Sequence, residues 1–187
     1  EDGDTPAFAI SGGADAAAFS IDAATGVLTF NAAPNFEAPA DADTDNDYEV
    51  QVTVSDGNGG TDTQAISVTV ANVNEAPVIT SDGGGVTAAL NAAENNTGVT
   101  TVTATDEDGD TPAFAISGGA DAAAFSIDAT TGVLSFAAVP DFEAPADTDT
   151  NNVYEVQVTA SDGNGGTDTQ GISVNVTLIF SIQRYRE

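Results

Sequence analysis

Apolar and polar residues alternate one for one along much of this chain. In VYEVQVTAS (153–161), Tyr154, Val156, Val158 and Ala160 fall on one face and Glu155, Gln157 and Thr159 on the other. That period of two belongs to a half-buried β-strand and not to a helix, whose period is 3.6. GISVNV (171–176) does the same with Ile172, Val174 and Val176, AFAIS (113–117) pairs Phe114 with Ile116, AFSID (124–128) pairs Phe125 with Ile127, and GVLSF (132–136) pairs Leu134 with Phe136. TGVTTVTAT (97–105) and the region around VTAAL (86–90) supply two more strand candidates. About seven short strands result, punctuated by Gly, Asn, Asp and Pro. No long helical pattern competes; GADAAAF (119–125) is long enough for one turn. The expected fold class is all-β, built as antiparallel sandwiches.

The pattern occurs twice. EDGDTPAFAISGGADAAAFSID stands at 1–22 and again at 107–128, and residues 1–70 differ from 107–176 at 11 of 70 positions, leaving 59 identities. A period of 106 residues exceeds the roughly 20–50 of a solenoid unit and matches a whole sandwich domain of about 100 residues. The leading segment of the second copy (78–106) has no counterpart before the first, so the first sandwich is expected to lack its N-terminal strands. The expected organisation is a partial repeat at 1–71, a linker at 72–77, a complete repeat at 78–176 and a divergent tail at 177–187.

Charge narrows the partners. Thirty Asp and Glu face two basic residues, Arg184 and Arg186, for a net charge of −28, with no Lys and no His. Nucleic acid, whose phosphates need clustered Lys and Arg, is an improbable partner on these grounds, as is an anionic membrane surface. No apolar run approaches the roughly 18 residues of a membrane span. The absence of Cys removes disulfides and thiolate sites and leaves the redox compartment open. What suits such a surface is a cation. Two carboxylates about 4 Å apart repel by roughly 1 kcal/mol at water's dielectric and by several times that near a protein surface. The run ATDEDGD (104–110), with Asp106, Glu107, Asp108 and Asp110 in five positions, therefore calls for a counterion. With oxygen donors abundant and His and Cys absent, the matching ion is hard, of the Ca2+ kind.

Five stretches, in order, resemble the cadherin repeat in its bacterial form. They are AAENNTGVTTVTATDED (92–108), FSIDATTGVLSF (125–136), DFEAP (141–145), YEVQVTASDGNGG (154–166) and the inter-repeat segment NVNEAPVI (72–79), and most recur in the first copy. The resemblance implies tandem Ig-like, cadherin-like sandwiches that bind Ca2+ where repeats meet. Carried over position by position, it implies ligands from Glu37 in the first copy, from Asn72, Asn74 and Glu75 in the linker, and from Asp106, Asp108, Asp110 and Asp162 in the second copy. Asn35 stands where the family has Asp, and the linker is one residue short and begins with Asn72. Half-sites are implied at Asp2, Asp4 and Asp56, facing a preceding repeat, and at Glu94, Asp141 and Glu143, facing a following one. The first copy has no counterpart of Glu94. After Val176 the tail TLIFSIQRYRE replaces the linker pattern. An arbitrary end of the array is the favoured reading of that tail, and addition as a strand to the incomplete copy of another chain is the alternative.

Other acidic and Gly-rich runs read more plainly. DADTDND (41–47) lacks the glycine and terminal Glu of an EF-hand loop, and its counterpart DTDTNNV loses two of four aspartates; it is expected to be a solvated loop. SDGNGG (55–60 and 161–166) lies between two strands and is expected to be a hairpin turn, not a phosphate cradle. The functional expectation is a structural, adhesive module of an extracellular or cell-surface protein, stiffened by Ca2+ and partnered by neighbouring repeats. Recognition of a surface glycan or protein, or association between chains, is the alternative. An enzyme is disfavoured, since without His, Cys or Lys only a carboxylate pair is left for acid–base work.

Overall fold

The structure, a computed structural model, describes residues 3–179. It divides into two units, Glu1–Val73 and Asn74–Glu187, and the division falls inside the segment expected to be the linker. The first unit carries β1 (Ala7–Gly12), β2 (Phe19–Ile21), β3 (Leu28–Phe30), β4 (Asp47–Ser55) and β5 (Thr61–Thr69). The second carries β6 (Val78–Ile79), β7 (Thr87–Ala93), β8 (Gly98–Thr101), β9 (Ala104–Thr105), β10 (Ala113–Gly118), β11 (Phe125–Ile127), β12 (Val133–Phe136), β13 (Val153–Ser161) and β14 (Thr167–Thr177). Apart from strands, the only helical elements among the described residues are single 3₁₀ turns, including Ala16–Ala18 and Ala122–Ala124, where the sequence predicts one turn. No helix among the described residues is long and apolar enough to cross a membrane.

In the second unit, one sheet runs β10-β13-β14-β7 and another β11-β12-β8, with β6 and β9 forming a short pair. Every pairing is antiparallel except β14 with β7, where Ile172, Val174 and Val176 lie beside Ala88, Leu90 and Ala92. The alternating positions named from the sequence face inward: Tyr154, Val156, Val158, Ala160, Ile172, Val174, Val176, Phe114, Leu134 and Phe136 are all buried. Phe125 and Phe136 stack with centroids 4.8 Å apart, and Tyr154 meets both rings edge-on. The SDGNGG turn joins β13 to β14 as an antiparallel hairpin, as expected. The second unit has two more strands than the seven expected, and the difference is local. The run read as one strand at 97–105 breaks around Val102, which is fully buried and donates its amide to the Gly132 carbonyl (2.9 Å). The two-residue β6 and β9 are too short for any period to register.

The first unit repeats this with fewer layers. Its sheets are β1-β4-β5 and β2-β3, and the described residues contain no counterpart of β6–β9. Phe19, Phe30 and Tyr48 form the same aromatic cluster. Ile66, Val68 and Val70 are only half-buried, because among the described residues no strand lies beside the outer edge of β5 as β7 lies beside β14.

Candidate metal centre

At one end of the second unit the hairpin turn wraps around Asp162. Its Oδ1 accepts from the amides of Asn164 (2.7 Å), Gly165 (3.0 Å) and Gly166 (3.0 Å), and its Oδ2 accepts from Gly166 (3.0 Å) and from Asn74 Nδ2 (2.8 Å). The Asn74 bond above all, and then the turn amides, hold the Asp162 carboxyl below its ordinary range, outweighing its loss of solvent. Gly166 has no room for a side chain: a Cβ there would run into the Asp162 carboxylate and come within 2.7 Å of Ala76 Cα.

The loop after β9 joins this arrangement. The Glu75 amide donates to Asp108 Oδ2 (2.9 Å), and the Asp108 amide donates to Asp106 Oδ1 (3.0 Å). Asp106 Oδ2 is shielded from solvent and accepts no hydrogen bond. Asp110 accepts from Asn164 Nδ2 (2.6 Å) and so braces its loop against the hairpin. Of the ligands expected in this unit, Asn74, Glu75, Asp106, Asp108 and Asp162 are thus linked in one network, with Asp110 tied to it through Asn164. The sequence reading missed Asn164, although SDGNGG repeats an Asn in both copies and so held a signal.

The second group the sequence predicted is also assembled. Glu94, Asp141 and Glu143 each bring a carboxylate oxygen within 4.8 Å of the others. Glu94 is 5% exposed, its Oε1 accepting from the Ile179 amide (2.9 Å) and its Oε2 from Phe142 (3.2 Å). Asp141 Oδ1 accepts from the amides of Glu143 (3.0 Å) and Ala144 (3.2 Å), which sets the turn that presents Glu143.

In the first unit, Glu37 is half-buried on the equivalent turn, where Asn35 Oδ1 accepts its amide (2.8 Å) in place of Asp141. Asn72 is exposed in the connecting segment. Asp56 Oδ1 accepts from Asn58 (2.8 Å) and Gly60 (2.9 Å), and Asn58 Nδ2 reaches Asp4 Oδ2 (2.8 Å), a copy of the Asp162–Asn164–Asp110 linkage. Asp2 lies outside the described residues, as does the tail from 180 onward with both arginines. The donors gathered at these points are carboxylates and Asn amides, the set a hard cation takes and a soft one does not. The shielded, donor-free Asp106 Oδ2 is an oxygen such an ion would satisfy.

The cadherin domain family matches residues 88–179, the span from β7 through β14. The second repeat is cadherin-like. Residues 1–69 match a bacterial Ig domain, although they repeat 107–175 with 11 differences in 69 positions. What separates the two copies is the β6–β9 portion, present only in the second among the described residues. Among solved structures, human protocadherin-24 EC1–2 is similar over 95% of this chain and 84% of its own, at 19% identity and a TM-score of 0.56. Mouse cadherin-23 EC22–24 is similar over 94% of this chain at 18% identity and a TM-score of 0.55. The chain spans 53% of that mouse structure. At these identities the likeness is one of fold. No curated protein matches the chain.

Proposed function

We propose that this chain is a structural and adhesive module of an extracellular or cell-surface protein, whose repeats are stiffened by Ca2+ bound at their junctions. The supporting observation is the network of Asn74, Glu75, Asp106, Asp108 and Asp162, formed where the connecting segment enters the second repeat, with Asp106 Oδ2 left without a donor. On this reading Glu37 of the first repeat and Asn72 complete the junction. Asp110 positions the loop, Asp2, Asp4 and Asp56 form the half-site toward a preceding repeat, and Glu94, Asp141 and Glu143 form the half-site toward a following one. A divalent ion turns carboxylate repulsion, worth about 4 kcal/mol for a pair 4 Å apart near a protein surface, into attraction. It also removes the conformational freedom of the linker it bridges. Extracellular Ca2+ modules bind in the range of about 10⁻⁴ to 10⁻³ M, so such sites fill outside the cell and empty inside it. The partners are the neighbouring repeats of the array.

The test is the thermal unfolding midpoint from chelator to millimolar Ca2+, with Mg2+ and NaCl as controls. Each site adds about 2.7 kcal/mol when Ca2+ is at 100 times its Kd. The expected result is a Ca2+-selective rise that Asp106→Asn with Asp108→Asn reduces sharply. An equal rise with NaCl would make the carboxylates a salt-adapted surface and sink the reading.

A further inference from the structure

The loop DADTDND of the first repeat contains none of the residues assigned above. Asp43 and Asp45 are exposed, as the expected solvated loop requires, but Asp41 is 5% exposed. Asp41, Asp43 and Asp45 each bring a carboxylate oxygen within 4.8 Å of the others. Asp41 Oδ2 accepts from the Asp45 amide (2.8 Å), while its Oδ1 is shielded from solvent with no donor. Asn46, 9% exposed, donates its amide to the Phe36 carbonyl (2.9 Å), and its Oδ1 is likewise shielded and donor-free, as is Asp47 Oδ1. A buried polar oxygen without a partner costs about 1–3 kcal/mol, and more when charged, so these oxygens favour a bound water or cation. The loop is held from outside itself: the Ala42 amide donates to buried Asp15 Oδ1 (2.7 Å) and the Ala40 amide to Tyr48 Oη (3.0 Å).

The second repeat serves as an internal control. Asp147 is 4% exposed, its Oδ1 and Asn152 Oδ1 are donor-free, and its Oδ2 accepts from the Asn151 amide (2.7 Å), as in the first copy, so the two loops differ in their carboxylates and not in those oxygens. There, however, Asn151 replaces Asp45 and donates Nδ2 to Asp149 Oδ2 (2.8 Å), and Val153 replaces Asp47. A neutral amide supplies the positive end that holds the second loop together. In the first loop the same position is a carboxylate, which can only repel Asp43.

We propose that the 41–47 loop of the first repeat is an additional site for one Ca2+, with Asp41, Asp43 and Asp45 as its carboxylate ligands and water filling the remaining positions. With bonds of about 2.3–2.6 Å, two ligands of one Ca2+ lie at most about 5 Å apart, and the three carboxylates meet that limit. The site lies wholly within one repeat and does not depend on the junction reading. It makes the loop, and not only the joint, responsive to calcium.

Equilibrium dialysis of the whole chain against radioactive Ca2+ at millimolar concentration reads the number of ions bound. Asp43→Asn with Asp45→Asn, at two exposed positions, is expected to lose one ion per chain relative to the unaltered protein. Asn151→Asp, which restores the third carboxylate in the second repeat, is expected to gain one. The junction variant Asp106→Asn with Asp108→Asn should keep the loop ion while losing its own. Unchanged stoichiometry in the Asp43/Asp45 variant overturns the loop site whatever the junction variant does. So does displacement of the loop ion by Mg2+ at equal concentration.

Discussion

At the scale of single residues, the carboxylates divide into those satisfied by the backbone and those left short of donors. Asp121 is the clearest of the first kind. Burial would raise its pKa, but the Glu155 amide (2.9 Å), with the Thr148 hydroxyl (2.8 Å) and amide (2.7 Å), more than offsets this, and the carboxyl titrates below its ordinary value. Asp128 and Asp22 are lowered in the same direction, chiefly by the amides of Thr131 and Thr25. A carboxyl whose folded pKa lies below its unfolded value stabilises the fold above that unfolded value. The contribution is lost as pH falls through the folded one. The contribution of these three groups is therefore expected to hold from neutrality down to about pH 4, the unfolded carboxylate range, and to fall below it. Asp121→Asn should cost about 1–3 kcal/mol at pH 7 through its lost acceptors. Urea unfolding at pH 7 and at pH 3 should show that gap narrowing in acid. The candidate ligands were legible here because motif order marks them. Asp121 and Asp15 were not, since nothing in GADAAAF announces that an aspartate will turn inward to receive amides from residues 27 to 34 positions away.

At the scale of elements, turns decide which strands can meet. Gly132 opens β12 with φ +69°, and a Cβ there would run into the Val102 carbonyl and approach the Phe114 ring. Its counterpart Gly26 has φ +72°, but there the nearest atoms to an added Cβ belong to the Phe8 ring, at 3.2 Å. Both substitutions bear the roughly 1–2 kcal/mol that a left-handed conformation costs an L-residue. Only Gly132→Ala also forces backbone apart where β8 crosses toward β9. Gly132→Ala is thus expected to destabilise the second unit by about 3 kcal/mol or more and Gly26→Ala the first unit by clearly less, as read by the midpoints of chemical denaturation. The hairpin and the long alternating strands were readable from local pattern, since a period of two and a Gly-rich turn are properties of a few consecutive residues. The break of 97–105 into two strands was not, because it is imposed by Gly132, some thirty positions along the chain.

At the scale of the whole molecule, two nearly identical sequences reach different degrees of burial. Ile172, Val174 and Val176 are 2%, 0% and 1% exposed, whereas Ile66, Val68 and Val70, at the equivalent positions, are half-buried. Gln170 is fully buried, donating Nε2 to the Gly85 carbonyl (2.8 Å), whereas Gln64 is exposed. The cause is the parallel β7 beside β14, with the 81–85 segment over it, neither of which has a counterpart among the described residues of the first unit. Removing a buried Ile side chain costs about 2–5 kcal/mol, depending on how well the site can collapse around the cavity. Ile172→Ala should fall within that range and Ile66→Ala below it. The check is denaturant unfolding of each variant, with the equal chemistry of the two deletions isolating the effect of burial.

The sequence alone determined the strand pattern, the duplication, the hairpin turns and the identity of the acidic positions, because each is written in the spacing of nearby residues or in their recurrence. It also determined that any ion held here must be a hard one, because composition leaves only oxygen donors. Tertiary structure decided which of those oxygens are shielded and which are solvated. Asp41, Asp106 and Asp147 each keep a shielded carboxylate oxygen that no donor reaches, whereas Asp43 and Asp45 stand in solvent. Tertiary structure likewise decided which of two matching apolar faces is covered, since burial depends on chain segments distant in sequence and no local period records it.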